Sequence, residues 1–216
     1  MIHITSRQDR AANVRRSLTL ATRAGFAPVD KGAIVGIREL QVNPFLDMTN
    51  RPNQMRSTLR KGEVGCFLSH RAAWFMGRDN GALVCEDDAI LSDDCLTRMS
   101  EAIHYVSNVL QTREFVIHGR YSAPRSLPGE CLNNYVTPGL QEVKCPCYNT
   151  NLYFASATAC DLLCRVSSDP TAWMPVDDFL SSLSGCHTTR VTNQPLSAFA
   201  INPVGLRVMR SKSDTQ

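Results

Sequence analysis

Short apolar runs alternate with amphipathic stretches along the whole chain. The runs "MIHIT" at the N-terminus, "ALVCEDD" from residue 82 and "EFVIHG" from residue 114 each predict a strand, and "TTRVTNQPLSAF" from residue 188 predicts one more. "LYFASATACDLLCRV" from residue 152 predicts a strand that leads into a helix, with Ser156 as the N-terminal cap. Strands that alternate with helices are typical of an α/β sandwich with a mostly parallel central sheet.

Three further helices follow from the spacing of the apolar residues. The first helix is predicted over residues 6–25 and is expected to end at Gly25 as its C-terminal cap. Its apolar face carries Val14, Leu18 and Ala21. In the helix predicted over 61–77, the buried stripe is expected to be Val64, Phe67, Leu68, Ala72, Phe75 and Met76, and the opposite edge Ser69, His70 and Trp74. Ser92 is expected to cap a helix with a buried stripe of Leu96, Met99, Ile103, Val106 and Leu110.

Less periodic segments separate these elements. Residues 28–60 and 119–148 contain many turn-forming residues, so both are predicted to be loops. Long irregular stretches inside a compact domain are usually functional, and the two segments are therefore interpreted as active-site loops. Residues 207–216 are predicted to form a frayed basic tail. With 216 residues and no internal repeat, the chain is interpreted as a single domain, residues 1–216.

The composition narrows the possible functions without selecting one. The net charge of +3 is spread along the chain, so it forms no nucleic-acid footprint but suits a polyanionic substrate such as a sugar nucleotide. No apolar run reaches the roughly 18–20 residues of a membrane span, and the polar N-terminus is unlike a signal peptide. The nine cysteines are an odd number and most lie in apolar segments, so without a secretory signal they are expected to be reduced thiols in a cytoplasmic protein. Cys145 and Cys147 could form half of a zinc site, but no second closely spaced pair of Cys or His accompanies them.

Two groups of acids carry the candidate chemistry. Glu86, Asp87 and Asp88 directly follow a predicted strand, and carboxylates crowded at the end of a strand can hold Mg²⁺ or Mn²⁺ together with a diphosphate. A solvated turn would explain the same acids. Asp177 and Asp178 open a short predicted helix, where one of them could act as a general base and where either could instead cap the helix.

Ser69 and His70 each have a structural and a functional interpretation. His70 in "CFLSHRAAW" is interpreted as a packed core histidine or as a functional group, and Ser69 as a hydroxyl donor or a small residue at a helix contact.

The sequence contains no Rossmann or Walker glycine pattern and no G-x-S-x-G. Dehydrogenases, P-loop enzymes and α/β-hydrolases are therefore excluded.

The order of the motifs resembles that of a known family. "GEVGCFLSHRAAW", "ALVCEDDAIL", "NLYFASATACDLL", "PVDDFL" and "VTNQPLSAF" follow one another as in glycosyltransferase family 25, and "IHITSRQDR" aligns with the family's opening motif. That family includes bacterial lipooligosaccharide galactosyltransferases and collagen hydroxylysine galactosyltransferases. The resemblance spans residues 2 to about 200 and implies a GT-A-like, nucleotide-sugar-binding fold.

The resemblance also implies a donor, a metal and roles for single residues. It implies a UDP-sugar donor, UDP-galactose or UDP-glucose, with Mn²⁺ or Mg²⁺ bound by Asp88 and Asp87 and with Asp177 as the base of an inverting transfer. The residues expected to bind the donor are Ser69, His70, Glu86, Asp87, Arg10 and Thr5. The chain departs from the family pattern at His3, Thr5 and Ser6, which replace Asn, Asp and Arg, so the identity of the nucleotide is the expectation most affected.

The acceptor and the activity itself admit alternatives. A glycan such as lipopolysaccharide, a protein hydroxyl or a modified DNA base are the acceptors considered, and peripheral membrane contact is expected to involve Arg207, Arg210 and Lys212 of the basic tail. The alternative to an enzyme is a non-catalytic sugar- or nucleotide-binding protein that retains the fold. The intact acids favour the enzyme, because unpaired carboxylates at one site have little use in a non-catalytic protein.

Overall fold

A computed structural model defines the fold over most of the chain. It describes residues 1–5, 7–33, 59, 61–120, 135–144, 147, 150–184, 196–201 and 207–208. The strands within these residues are β1 (Ile2–Ile4), β2 (Val29–Asp30), β3 (Ala82–Glu86), β4 (Ala89–Ile90), β5 (Phe115–His118), β6 (Tyr135–Thr137), β7 (Leu140–Glu142), β8 (Leu152–Ala155), β9 (Ser197–Ile201) and β10 (Arg207–Val208). The helices are α1 (Ala11–Arg23), α2 (Lys61–Met76), α3 (Asp93–His104), α4 (Ala157–Val166) and α5 (Val176–Leu183).

Eight strands form one sheet in the order β2-β1-β3-β8-β5-β9-β7-β6. The pairs β1–β2, β1–β3 and β5–β9 are parallel, while β8 runs antiparallel to both of its neighbours. The β7 strand is also antiparallel to its neighbours, so six of the eight strands run in one direction. The predicted α/β class with a mostly parallel sheet is confirmed.

The helix ends follow the predicted local signals. The Ser92 hydroxyl accepts a hydrogen bond from the Cys95 amide at 3.2 Å, and Ser156 accepts one from Ala159 at 3.2 Å. Gly25 follows α1 with a φ of +83°, a left-handed conformation that glycine adopts at low cost. These contacts satisfy backbone groups that the ends of a helix leave without an intrahelical partner.

The sheet is covered by helices on both faces. Along β3 the side chains alternate, so that Ala82 and Val84 pack into the cluster beneath α2, α4 and α5, whereas Leu83 and Cys85 pack into the cluster beneath α1 and α3. A strand buried on both faces needs an apolar residue at nearly every position, and "ALVC" meets that requirement. The acids begin where this burial ends.

The face on which α2 packs differs from the prediction. Phe75 and Met76 of the expected buried stripe are 65% and 45% exposed, whereas Ser69, His70 and Trp74 of the expected outer edge are fully buried. The helix is apolar enough on several sides that spacing does not select one face. Partners for the polar atoms decide the orientation, because the Trp74 indole N–H donates to the Tyr153 hydroxyl at 2.7 Å.

The two predicted loops contain short strands. The β2 strand lies in 28–60, and the β6–β7 hairpin lies in 119–148; residues 34–58 and 121–134 of these segments are outside the described ranges. The last sheet strand begins at Ser197, with 188–195 likewise outside. Arg207 and Val208, expected in a frayed tail, pair with β4, while Arg210 and Lys212 are not among the described residues. No described helix combines the length and apolar character needed to cross a bilayer.

Gly81→Ala is expected to lower the free energy of unfolding by about 1–3 kcal/mol. Gly81 has a φ of +78°, and a Cβ there would lie 2.9 Å from the backbone oxygen of Ala155. Gly25→Ala is the matched control, because Gly25 has a similar φ of +83° but open space around its Cα. Urea denaturation of both variants separates backbone strain from the clash. Equal losses would show that the clash costs nothing.

Candidate functional site

The site is built where β3 ends. Glu86 is the last residue of β3, it lies beside Ile4 of β1, and its amide donates to the Asn151 carbonyl at 2.8 Å. Because β8 runs antiparallel to β3, the start of β8 lies at the same sheet edge as the end of β3. Residues that precede β8 therefore face the acids that follow β3.

Asp87 fastens the turn after β3 to the start of α1. Its Oδ1 accepts a hydrogen bond from the Arg10 guanidinium at 2.5 Å, and its Oδ2 accepts one from the Arg7 amide at 2.9 Å. The two paired side chains are 8% and 3% exposed. The Asn13 amide donates to the carbonyls of Asp87 and Ala89 at 2.9 and 2.8 Å. Asp87 and Arg10, both expected to bind the donor, are thus buried against each other.

Glu86 is held by a hydrogen-bonded set of buried side chains. Its Oε1 accepts from the Thr150 hydroxyl at 2.9 Å and lies 3.1 Å from Nε2 of His70. The other ring nitrogen of His70 lies 2.8 Å from the Tyr153 hydroxyl. Burial alone would raise the pKa of Glu86, but the hydrogen bonds and charge supplied by His70 and Thr150 bring it below the usual value. Glu86 is therefore ionised at neutral pH.

Asp88 is the acid of the turn with the least complete set of partners among those described here. Its Oδ1 accepts from the Asn151 amide at 2.7 Å, and the same nitrogen lies 3.4 Å from Oε2 of Glu86. Partial burial and the nearby charge of Glu86 raise the pKa of Asp88 above its usual value. Crowded carboxylates of this kind are stabilised by a cation.

Asp177 reaches the same cluster from the first turn of α5. Burial and the charge of Glu86 raise the pKa of Asp177 to about 6, although Thr150, His118 and His70 act in the opposite direction. Its Oδ1 is buried and has no hydrogen-bond partner among the described residues. The N-cap position of α5 is Pro175, and no side chain caps the helix there. Asp177 is thus a partly buried residue whose carboxyl group has one buried oxygen and a pKa raised to about 6.

The remaining predicted residues lie on either side of this cluster. Thr5 donates to Asp30 at 2.7 Å, just beyond the ends of β1 and β2. His3, on β1, is buried, and burial lowers its pKa. Ser69 is fully buried and donates to the Gly65 carbonyl at 2.7 Å, one turn earlier in α2. The structure thus groups His70, Asp88 and Asp177 around Glu86, whereas Thr5 bonds to Asp30 and Ser69 to Gly65.

Several residues of the site carry no obvious motif. Thr150 and Asn151 bind the acids, and Tyr153 positions His70, yet sequence reasoning singled out none of them. Asp30 was assigned to a loop. A polar pair directly before an apolar run, as in "NTNLYF", is the signal that could have found Thr150 and Asn151. This signal points to the acids only if β8 is known to run antiparallel to β3.

The oxygen donors present fit a hard divalent cation. Mg²⁺ and Mn²⁺ bind one or two carboxylates and complete their coordination with substrate phosphate oxygens. Asp88 would hold such an ion, since among the described residues its side chain accepts a hydrogen bond only from the Asn151 amide and its charge is poorly compensated. Both oxygens of Asp87 already accept hydrogen bonds from the N-terminal segment. Its metal-binding role remains a prediction.

Asp177→Asn is expected to raise the free energy of unfolding above pH 6 by about 1–3 kcal/mol. The pKa of Asp177 in the folded protein, about 6, exceeds its usual value of 3.8. Between these values only the folded state keeps the proton, so the stability of the unmodified protein falls as the pH rises through this window. Denaturation at pH 4 and pH 7.5 checks the prediction, because the variant's advantage should be present only at pH 7.5.

A model of a known protein family matches the part of the chain that contains the end of β3. The family model described as "Glycosyltransferase family 25 (LPS biosynthesis protein)" matches residues 2–128, more than half of the chain. The match includes Arg10, His70 and the acids 86–88 and ends before Thr150 and Asp177. A comparison with curated proteins gives no match. The chain belongs to glycosyltransferase family 25.

Proposed function

We propose that this glycosyltransferase moves a hexose from a UDP-sugar to an acceptor hydroxyl, with inversion at the anomeric carbon. UDP-galactose and UDP-glucose are the donors to test first, as the family resemblance suggests. The description of the family as an LPS biosynthesis protein favours a glycan acceptor over a protein or a modified DNA base. Asp177 is the base, and Asp88 is the residue that binds the metal.

The raised pKa of Asp177 is the observation that supports this proposal most directly. A general base works best when its pKa is close to the operating pH, and burial beside Glu86 raises the pKa of Asp177 to about 6. At pH 7 the group is mostly ionised yet remains a strong enough base to accept a proton. Glu86 is less suitable for this role, because its pKa is lowered and it accepts hydrogen bonds from Thr150 and His70.

The proposed reaction is a single displacement. Asp177 takes the proton of the acceptor hydroxyl as the oxygen bonds to the anomeric carbon, and the bond between that carbon and the diphosphate breaks with its electron pair on the leaving oxygen. A divalent ion, when bound, would offset the negative charge of the diphosphate. Fixing the acceptor beside Asp177 supplies the orientation that makes such a displacement fast.

The non-catalytic alternative gains one argument from the structure. Glu86 and Asp87 lie against the basic side chains of His70 and Arg10, so they serve the fold whether or not the protein is active, whereas Asp88 accepts from the neutral amide of Asn151. The sequence argument that these acids would be unpaired therefore fails for two of the three. The case for catalysis depends on Asp177 and Asp88, and the test must address them directly.

Asp88→Asn is expected to abolish the metal-dependent part of donor binding. The unmodified protein should gain thermal stability with one UDP-sugar and Mn²⁺ and lose this gain with chelator, since a ligand that binds only the folded state raises the melting temperature. A panel of UDP-, GDP-, CMP- and dTDP-sugars identifies the nucleotide. Asp94→Asn is the matched control, because Asp94 is an exposed acid that pairs with Arg98 on α3.

Two results would contradict the proposal in different ways. A shift with a different nucleotide would overturn the UDP assignment and leave the site in place. The absence of a shift with any sugar nucleotide, with or without metal, would favour the non-catalytic alternative. Hydrolysis or transfer of the identified sugar, measured as release of the free nucleotide, then tests the activity itself.

A further inference from the structure

A thiol, an imidazole and a carboxylate meet beside the proposed catalytic acids. Cys66 lies on α2 one turn before His70, and residues four apart share one face of a helix. The ligand atoms of Cys66, His70 and Glu86 all lie within 4.8 Å of one another. Nε2 of His70 is 3.1 Å from Oε1 of Glu86.

The surroundings hold two of these groups in place and leave the third accessible. Nδ1 of His70 is engaged by the Tyr153 hydroxyl at 2.8 Å, which fixes the ring with Nε2 toward Glu86. Histidines that bind metals commonly have the second ring nitrogen fixed in this way. The Thr150 hydroxyl donates to the same oxygen of Glu86, Oε1, at 2.9 Å. Cys66 is exposed, so an ion can reach the group from solvent.

We propose that Cys66, His70 and Glu86 form a binding site for Zn²⁺ or a similar transition-metal ion. Sulfur, nitrogen and oxygen donors together suit zinc, whereas Mg²⁺ and Mn²⁺ favour oxygen ligands. Three protein ligands leave a fourth tetrahedral position open to water or another small ligand. On binding, the Cys66 thiol proton and the Nε2 proton of His70 leave to solvent, and sulfur and nitrogen each donate an electron pair to the ion.

This site is separate in chemistry from the hard-cation site proposed at Asp88. It does not depend on glycosyl transfer, and it gives Glu86 and His70 a role as ligands rather than as donor-binding groups. An ion there would offset the charge that Glu86 presents to Asp177, so the pKa of about 6 for Asp177 applies to the protein without this ion. The two metal proposals make different demands on the chain, because only one of them requires a thiolate.

Co²⁺ titration of the reduced, metal-free protein tests the site. A thiolate bound to Co²⁺ gives a sulfur-to-cobalt charge-transfer band in the near ultraviolet, a signal that oxygen ligands do not produce. We expect one equivalent of Co²⁺ to generate this band and Zn²⁺ to displace it. Cys66→Ala and Cys66→Ser should abolish the band, while Cys164→Ala, which removes a partly buried thiol on α4, should preserve it.

The remaining outcomes distinguish this site from its neighbours. Asp88→Asn should keep the charge-transfer band even if it loses donor binding, so failure of one proposal does not decide the other. A band that survives in Cys66→Ala, or no band in the unmodified protein, would overturn the site. Melting curves of the metal-free variants show whether each is folded, and Cys66 is exposed, so both substitutions are expected to be tolerated.

Discussion

Asp177→Asn is expected to lower kcat by about 10²–10⁴-fold while donor binding is retained. Asparagine has nearly the shape of aspartate but cannot accept the acceptor's proton. The carboxylate of Asp88, the proposed metal ligand, is untouched, so the thermal shift with donor and metal should persist. Loss of kcat without loss of donor affinity is the signature of a group that acts only in the transition state.

The pH profile gives the same prediction a second test. A base must be ionised, so kcat/KM of the unmodified enzyme should rise with pH through about 6, the pKa of Asp177. The residual activity of Asp177→Asn should lack this acid limb. Asp178→Asn is the matched control, since it removes the adjacent carboxylate of the same helical turn. It should keep both the kcat of the unmodified enzyme and the rise of kcat/KM with pH. Full turnover in Asp177→Asn would assign the base to another residue.

The position of the acids was predictable because it depends on a general property of sheets. An apolar run buried on both faces must end where polar side chains begin, and strands that run in one direction end at one edge. "ALVC" followed by Glu86 meets both conditions, and Asp177 was placed at a helix start that the structure confirms. Neither inference needed knowledge of the strand order.

The partners of the acids were not predictable by the same reasoning. Thr150 and Asn151 lie before β8, and in a wholly parallel sheet they would belong to the opposite edge. The reversal of β8 brings them to Glu86 and Asp88. Likewise, His70 was assigned to the outer edge of α2, because hydrophobic spacing does not register that Tyr153 and Glu86 satisfy its ring nitrogens. Buried polar networks depend on tertiary pairing, which sequence patterns do not encode locally.

Arg10→Met is expected to lower the free energy of unfolding by about 3–5 kcal/mol, the cost of leaving one partner of a buried ion pair alone. Arg10 and Asp87 are almost wholly buried and bond at 2.5 Å. Methionine fills much of the arginine's volume but removes the guanidinium that pairs with the buried Asp87 carboxylate. Since Asp87 also accepts a hydrogen bond from the Arg7 amide, we expect the destabilisation to affect the segment that joins β1 to α1.

A double variant identifies the cause of that loss. Arg10→Met combined with Asp87→Asn removes both charges of the buried pair while keeping an acceptor for the Arg7 amide, so it should be more stable than Arg10→Met alone. Arg98→Met is the control, because Arg98 pairs with Asp94 on an exposed helix face where such a pair contributes about 0.3–0.5 kcal/mol. Urea denaturation measures all three. If Arg10→Met costs no more than Arg98→Met, the pair does not hold the fold together, and Arg10 and Asp87 would be left with the donor-binding roles that the family resemblance implies.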